Sequence, residues 1–79
     1  MNNNQKLYAA FAQALTIEHG KITDDLAYNT IAEWDSVGHM ALVAEIESAF
    51  DVMMDTDDIV DLSSVGKARE ILRKYHISF

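Results

Sequence analysis

The serine at position 36 is the side chain whose surroundings most clearly suggest chemistry. It lies between Asp35 and a long amphipathic segment, in the sequence EWDSVGHMALVAEIESAF that spans residues 33–50. Serine is among the best helix N-cap residues, so the spacing predicts that Ser36 caps a helix. The same position places its hydroxyl beside unpaired backbone N–H groups, where a phosphate on that oxygen would lie in the positive end of the helix dipole. Two interpretations therefore stay open, a structural cap and a site for a phosphoester.

His39 follows Ser36 by three residues, so the two side chains would share one face of the helix. This spacing also suggests a serine-histidine dyad. No residue is placed to orient the histidine, and nothing in the sequence forms an oxyanion hole, so we expect no catalytic residue. The acidic run DTDDIVD (residues 55–61) lacks the oxygen ligand and the glycine that a calcium loop needs at its fifth and sixth positions, so we expect no metal site.

Apolar residues recur at helical spacing in three segments of the chain, which predicts three longer helices. The first segment carries Leu7, Tyr8, Phe11, Ala14 and Leu15; the second carries Val37, Met40, Ala44 or Val43, Ile46 and Phe50; the third carries Val65, Ala68, Ile71, Leu72 and Tyr75. A short helical turn is expected around Ile59, Val60 and Leu62. We expect N-caps at Asn3 or Asn4, at Thr56 or Asp57, and at Ser64.

The segment between the first two helices breaks the helical period. Gly20 is predicted to stop the first helix, and the long loop that follows is expected to be pinned to the core by Ile22, Leu26, Ile31 and Trp34. Trp34 in particular should anchor the loop by burying its ring while its N–H finds a partner.

A chain of 79 residues without proline or repeats is expected to form one domain over residues 1–79. Its helices are too short to be stable alone, so they must pack together. We therefore predict an all-α fold, a small four-helix bundle with three longer helices, one short helix and a long loop between the first and second. The expected core contains Phe11, Leu15, Ile46, Phe50, Val65, Ala68 and Leu72, with Met40 and one of Met53 and Met54.

The net charge of −7 is unevenly distributed along the chain. All six basic residues lie toward the two ends, whereas the eleven charged residues between Ile22 and Gly66 are all acidic. Such a surface repels nucleic acid and attracts a basic protein partner. No apolar run is long enough to cross a membrane and the N-terminus does not resemble a signal peptide, so we expect no membrane insertion and a cytoplasmic location. The absence of cysteine excludes disulfides and thiolate metal sites.

The stretch WDSVGHMALVAEIESAFDV, followed by DLSSVGKAREIL, resembles the acyl carrier protein family. The resemblance covers nearly the whole chain, from the leading amphipathic helix to the Ser-Val that starts the last one. It implies that Ser36 receives phosphopantetheine, covalently attached, from a phosphopantetheinyl transferase. It also implies a non-catalytic and monomeric carrier, which holds acyl or aminoacyl groups as thioesters and delivers them between acyl- or aminoacyl-activating and transfer enzymes with basic patches.

The expected docking surface surrounds Ser36 and follows the acidic second helix. Its residues are Asp35, Val37, Met40, Glu45, Glu47, Asp51, Asp57 and Asp58, with Asp61 nearby. Carriers of fatty-acid synthesis commonly place acids where this chain has Gly38, Ala41 and Ser48, so the resemblance points to a specialised pathway such as nonribosomal peptide, polyketide or surface-polysaccharide synthesis. The alternative is a small acidic helical module that binds another protein without a prosthetic group, with Ser36 as a plain cap.

Overall fold

Four α-helices follow one another in the computed structural model, which describes residues 2–79. They are α1 (Asn3–Leu15), α2 (Ser36–Phe50), α3 (Thr56–Asp61) and α4 (Val65–Lys74), with a single 3-10 turn at His19–Lys21. The predicted bundle of three longer helices and one short helix, with a long loop between the first and second, is confirmed. None of the helices within residues 2–79 is long and apolar enough to span a membrane.

The start and the end of α1 differ from their predicted positions. Asn2, rather than Asn3 or Asn4, caps the helix, because its side chain accepts the Gln5 N–H while the Gln5 side chain accepts the Asn2 N–H. This reciprocal pair satisfies two donors that have no partner within the helix. The helix ends at Leu15 and its C-cap is Thr16, which adopts the left-handed conformation with φ of 55°. Gly20 lies four residues further on, in the 3-10 turn, and the prediction that it stops α1 is wrong.

The long loop is held to the core as predicted. Ile22, Leu26 and Trp34 are buried, and Ile31 is half-buried. Trp34 is completely buried and its ring packs edge-on against Phe11, with the ring centroids 5.4 Å apart. The anchoring role predicted for Trp34 is therefore confirmed.

The buried face of α2 is only partly the predicted one. Leu42, Val43, Ile46 and Phe50 are buried, whereas Val37, Met40 and Ala44 are exposed. The expectation that Met40 fills the core is therefore wrong, since 57% of this residue is exposed. The helical period could not select the buried face because α2 carries apolar residues on more than one side.

The predicted core is otherwise confirmed. All seven expected residues are buried, namely Phe11, Leu15, Ile46, Phe50, Val65, Ala68 and Leu72. Of the adjacent methionines, Met54 is buried and Met53 is exposed, as the requirement that only one point inward predicts. The seven expected residues come from α1, α2 and α4, so the three longer helices share one core.

The last two helices differ in how they begin. Ser64 caps α4 as predicted, because its Oγ accepts the N–H of Lys67 at 3.0 Å. The N-cap position of α3 is Asp55, not Thr56 or Asp57, and its side chain makes no capping hydrogen bond. A six-residue helix without such a bond depends on its neighbours for stability.

Candidate functional site

Ser36 is the first residue of α2 and is not its N-cap. The cap is Asp35, whose Oδ1 accepts the backbone N–H of Gly38 at 2.9 Å. The prediction that Ser36 caps the helix is therefore wrong by one residue, because the carboxylate just before it takes the N–H that a serine cap would have used. The Ser36 side chain is exposed, and its Oγ lies 3.4 Å from the Tyr28 Oη.

The backbone around Ser36 gives this end of α2 a positive character. The first intrahelical hydrogen bond runs from the His39 N–H to the Asp35 carbonyl at 2.8 Å. The N–H groups of Ser36 and Val37 precede that bond, so neither can find a carbonyl one turn earlier within the helix. An anion attached at the Ser36 oxygen would lie beside these donors and in the positive end of the helix dipole.

A groove opens beside Ser36 between α2, α3 and the long loop. Its volume is about 350 Å³. Its apolar walls come from α2, α3 and the residue after α3, and its polar groups come mainly from the loop and the first turns of α2. The lining residues are Tyr28, Ser36, His39, Met40, Ile59, Val60, Leu62 and Ser63. The groove therefore offers a mostly apolar surface with a few hydroxyl groups next to an exposed serine.

His39 forms part of that groove, and both nitrogens of its ring are engaged. Nδ1 accepts the Trp34 Nε1–H at 3.0 Å, and Nε2 lies 2.8 Å from the carbonyl oxygen of Ile59. Nδ1 already accepts a hydrogen bond and Nε2 donates one to a carbonyl, so neither nitrogen is free to remove a proton from Ser36. This arrangement does not support a serine-histidine dyad.

Gly38 allows the loop to pass close to the first turn of α2. A Cβ atom at this position would lie 2.2 Å from the Glu33 carbonyl oxygen, far inside van der Waals contact. Only glycine fits here without a shift of the backbone. The loop that passes so close is the one that carries Trp34 to its hydrogen bond with His39.

The residues predicted to form the docking surface differ in how exposed they are. Val37 and Met40 are largely exposed beside Ser36, and Asp35, Asp51 and Asp57 are exposed, as is Asp61. Glu45 and Glu47 are half-buried, and Glu47 Oε2 accepts the N–H of Met54 at 2.9 Å.

Asp58 is the exception in that surface. It is only 4% exposed, and its carboxylate accepts hydrogen bonds from Lys74 Nζ and from Tyr75 Oη, the latter at 2.6 Å. The hydrogen bond from Lys74, followed by that from Tyr75, lowers the pKa of the Asp58 carboxyl below its ordinary value. The expectation that Asp58 is presented to a partner is therefore wrong, because this carboxylate already holds α3 against α4.

No pattern in the sequence predicted that Tyr28 and Ser63 would lie beside Ser36. Tyr28 comes from the loop, where no periodicity predicts a position, and Ser63 from the link between α3 and α4. The two residues are joined by a hydrogen bond from the Tyr28 N–H to the Ser63 carbonyl at 2.8 Å. The one local indication of a turn beside Tyr28 was Asn29, because asparagine tolerates the left-handed conformation that it adopts here, with φ of 65°.

The chain is similar to the acyl carrier protein of Lactobacillus johnsonii. The two are 29% identical over 70 residues, which make up 89% of this chain and 88% of that protein. No family model matches the chain, and no solved structure matches it. The similarity covers far more of the chain than a three-residue motif. The resemblance of this chain to the acyl carrier protein family, first drawn from its sequence, is thus confirmed by a relative that matches nearly its whole length.

Proposed function

We propose that this chain is an acyl carrier whose Ser36 hydroxyl is the attachment point of phosphopantetheine. The observation that carries the proposal is that Asp35, not Ser36, caps α2, which leaves an exposed hydroxyl at the edge of a mostly apolar groove. Similarity to a protein named acyl carrier protein over 89% of the chain supports the same conclusion. When bound, the group supplies a thiol that holds an acyl or aminoacyl cargo as a thioester.

The residues around Ser36 fit such a group. The N–H groups of Ser36 and Val37 can donate to phosphate oxygens, and the Tyr28 hydroxyl lies 3.4 Å from the oxygen that would be esterified. The groove offers an apolar wall to the methyl groups of phosphopantetheine and hydroxyl groups to its amides. The chain contains no cysteine, so the thiol must come from the attached group.

The surface around Ser36 suits recognition by other enzymes. Val37 and Met40 expose apolar area directly beside the attachment point, and Ala41 is also exposed. Acidic residues lie further along α2 and on α3, where they favour basic patches on a phosphopantetheinyl transferase and on acyl- or aminoacyl-transferring enzymes. Gly38, Ala41 and Ser48 stand in α2 where carriers of fatty-acid synthesis commonly have acids, and their lack of charge supports service in a specialised pathway.

The competing proposal is an acidic interaction module without a prosthetic group. It shares the acidic surface, but it interprets Ser36 as a plain cap, a role that Asp35 fills instead. The two proposals differ in one measurable property, which is whether Ser36 can be modified.

The test is intact-mass measurement after incubation with coenzyme A and a phosphopantetheinyl transferase. We expect one phosphopantetheine per chain in the parent protein and in Ser63→Ala, which alters another hydroxyl of the same groove. Ser36→Ala should stay folded and gain no mass. Modification of Ser36→Ala, or complete failure of the parent to react with transferases of broad specificity, would count against the carrier proposal.

A further inference from the structure

The imidazole of His39 connects three parts of the structure that surround the groove. It lies on α2 one turn after Ser36, accepts the indole N–H of Trp34 from the loop, and contacts the Ile59 carbonyl of α3. The indole nitrogen can only donate and the carbonyl can only accept. His39 must therefore be neutral, with its proton on Nε2, to form both bonds.

The Ile59 carbonyl has a physical reason to need this donor. It belongs to the last four residues of α3, whose carbonyl groups have no partner within the helix. The Asp58 carbonyl is satisfied by the N–H of Leu62, the residue that follows α3. The His39 Nε2–H supplies the corresponding donor for Ile59 from a neighbouring helix.

Helix α3 is six residues long and has little apolar area with which to hold its position. Within it Ile59 is half-buried and Val60 is 77% exposed, so its apolar side chains bury little area. Its side toward α4 is held by the bonds from Lys74 and Tyr75 to Asp58. Its side toward α2 is contacted by His39, whose Nε2 lies 2.8 Å from the Ile59 carbonyl oxygen.

The loop side of this connection is equally specific. Gly38 permits the close passage of Glu33, and that passage brings the Trp34 indole to His39. The two rings are nearly parallel, at 14°, while Tyr28 meets the His39 ring edge-on with the centroids 5.4 Å apart. His39 thus joins the loop wall and the α3 wall of the groove through one side chain.

We propose that His39, as the neutral Nε2–H tautomer, is a positioning residue that fixes α3 against α2 and so sets the shape of the groove beside Ser36. The connection between α2 and α3 is a property of the unmodified protein. Its effect on a phosphopantetheine group attached at Ser36 (the arm) rests on the function proposed above for Ser36.

The first test uses the unmodified protein and three variants. His39→Gln keeps one acceptor and one donor, His39→Phe keeps a ring without either, and His19→Gln changes an exposed histidine in the 3-10 turn as the matched control. In the parent, ¹⁵N spectra of the imidazole should show His39 with its proton on Nε2. The amides of residues 59–63 and the Trp34 indole should exchange with solvent about tenfold faster in His39→Phe, because two hydrogen bonds are lost. Exchange in His39→Gln should stay within about threefold of the parent, and His19→Gln should match the parent.

Three results of this experiment would overturn the proposal. The first is a proton on Nδ1 in the parent, and the second is unchanged hydrogen exchange in His39→Phe. The third is exchange in His39→Gln that is as fast as in His39→Phe, because that result would assign the effect to the packing of the ring. The tautomer measurement needs only the parent, so it decides even where a variant does not fold.

The second test uses the protein with a thioester on the attached arm. Hydrolysis of the thioester should be several-fold faster in His39→Phe than in the parent and in His39→Gln, because a loosened α3 shelters the arm less. Equal hydrolysis in all three would overturn the link between His39 and the groove. The exchange measurements do not require modification of Ser36, so failure of the transferase reaction would remove the carrier proposal without affecting the result for α3.

Discussion

The carboxylate of Asp35 accepts the backbone N–H of Gly38 at 2.9 Å and thereby caps α2, while the neighbouring Ser36 hydroxyl remains at the surface. We therefore expect Asp35 to contribute to the stability of the protein and Ser36 to its modification. Asp35→Ala should lower the free energy of unfolding by about 0.5–2 kcal/mol, the usual cost of a lost cap, and Asp35→Asn should restore most of it. Ser36→Ala should change it by less than about 0.5 kcal/mol, as expected of a surface site. Urea denaturation measures both. A larger loss for Ser36→Ala than for Asp35→Ala would show that the serine is the cap.

Gly38 offers a second test of how the loop meets α2. Glycine is a poor helix former, so replacement by alanine at an open helical position gains up to about 1 kcal/mol. At Gly38 the added Cβ would meet the Glu33 carbonyl at 2.2 Å, and we expect Gly38→Ala to destabilise the protein instead. Gly66 in α4 is the matched control, because a Cβ there has no neighbour nearer than 3.7 Å. Thermal unfolding should show a lower midpoint for Gly38→Ala and an equal or higher one for Gly66→Ala. A stabilised Gly38→Ala would contradict the close passage of the loop.

The pH dependence of stability should reveal the role of Asp58. Hydrogen bonds from Lys74 and then Tyr75 lower the pKa of this carboxyl from its ordinary value of 3.8. Since the pKa is lower in the folded state, the stabilisation is fully present above about pH 4–5 and is lost as the pH falls through the folded-state pKa. The bond to Asp58 raises the pKa of Lys74 and of Tyr75 above their ordinary 10.5 and 10.0, so the same contacts weaken only at high pH.

The measurement is the difference in unfolding free energy between the parent and Asp58→Asn across this pH range. The difference should be constant near neutral pH and shrink in acid. Asp57→Asn, which removes an exposed acid from the same helix, should show no comparable pH-dependent loss. A difference for Asp58→Asn that does not diminish in acid would contradict the assigned ion pair.

The acidic surface should govern how fast partner enzymes reach Ser36. Glu47 is poorly suited to this test because its carboxylate also holds the Met54 N–H. Glu45→Gln is preferable. Glu70→Gln on α4 is its control, because it removes the same charge from a different helix. An exposed ion pair contributes roughly 0.2–1 kcal/mol, so kcat/KM of the transferase should fall by at most about fivefold in Glu45→Gln at low salt. The difference should fade as salt is added, because exposed charges are screened over about 8–10 Å. Equal rates for both variants at all salt concentrations would exclude electrostatic docking along α2.

The same kinetic assay addresses the pathway. We expect enzymes of fatty-acid synthesis to use the holo protein poorly, because α2 lacks acids at Gly38, Ala41 and Ser48, where carriers of fatty-acid synthesis commonly have them. A dedicated partner should use it well. Normal rates with the fatty-acid enzymes would remove the inference of a specialised pathway.

The sequence was sufficient to predict the four helices and most of the core. The stripes of α1 and α4 each have one apolar face, so burial of Phe11, Val65 and Leu72 follows directly from the helical period. In α2 the period was ambiguous, and the exposure of Met40 became clear only once the positions of the neighbouring elements were known. The predicted cap of α2 was one residue too late, because Asp35 and Ser36 are both good cap residues and spacing alone does not distinguish them.

The site itself was predictable only at its centre. Ser36 stood out because a helix start is visible in sequence. Tyr28, Ser63 and the Ile59 carbonyl could not be predicted, since they reach the groove from the loop, the α3–α4 link and a short helix whose position is fixed by tertiary contacts. The burial of Asp58 escaped prediction for the same reason, because Lys74 and Tyr75 approach it from α4, sixteen and seventeen residues away.

The most direct test of the central claim is to locate the attached group in the converted protein by fragmenting its peptides in a mass spectrometer. No lysine or arginine lies between Lys21 and Lys67, so trypsin yields one peptide of residues 22–67 that contains Ser36, Ser48, Ser63 and Ser64 together. Fragment ions can then distinguish the four serines within a single molecule. We predict that the phosphopantetheine mass is found on Ser36 alone. Its presence on Ser48, Ser63 or Ser64, or an unmodified peptide after exhaustive treatment, would contradict the account.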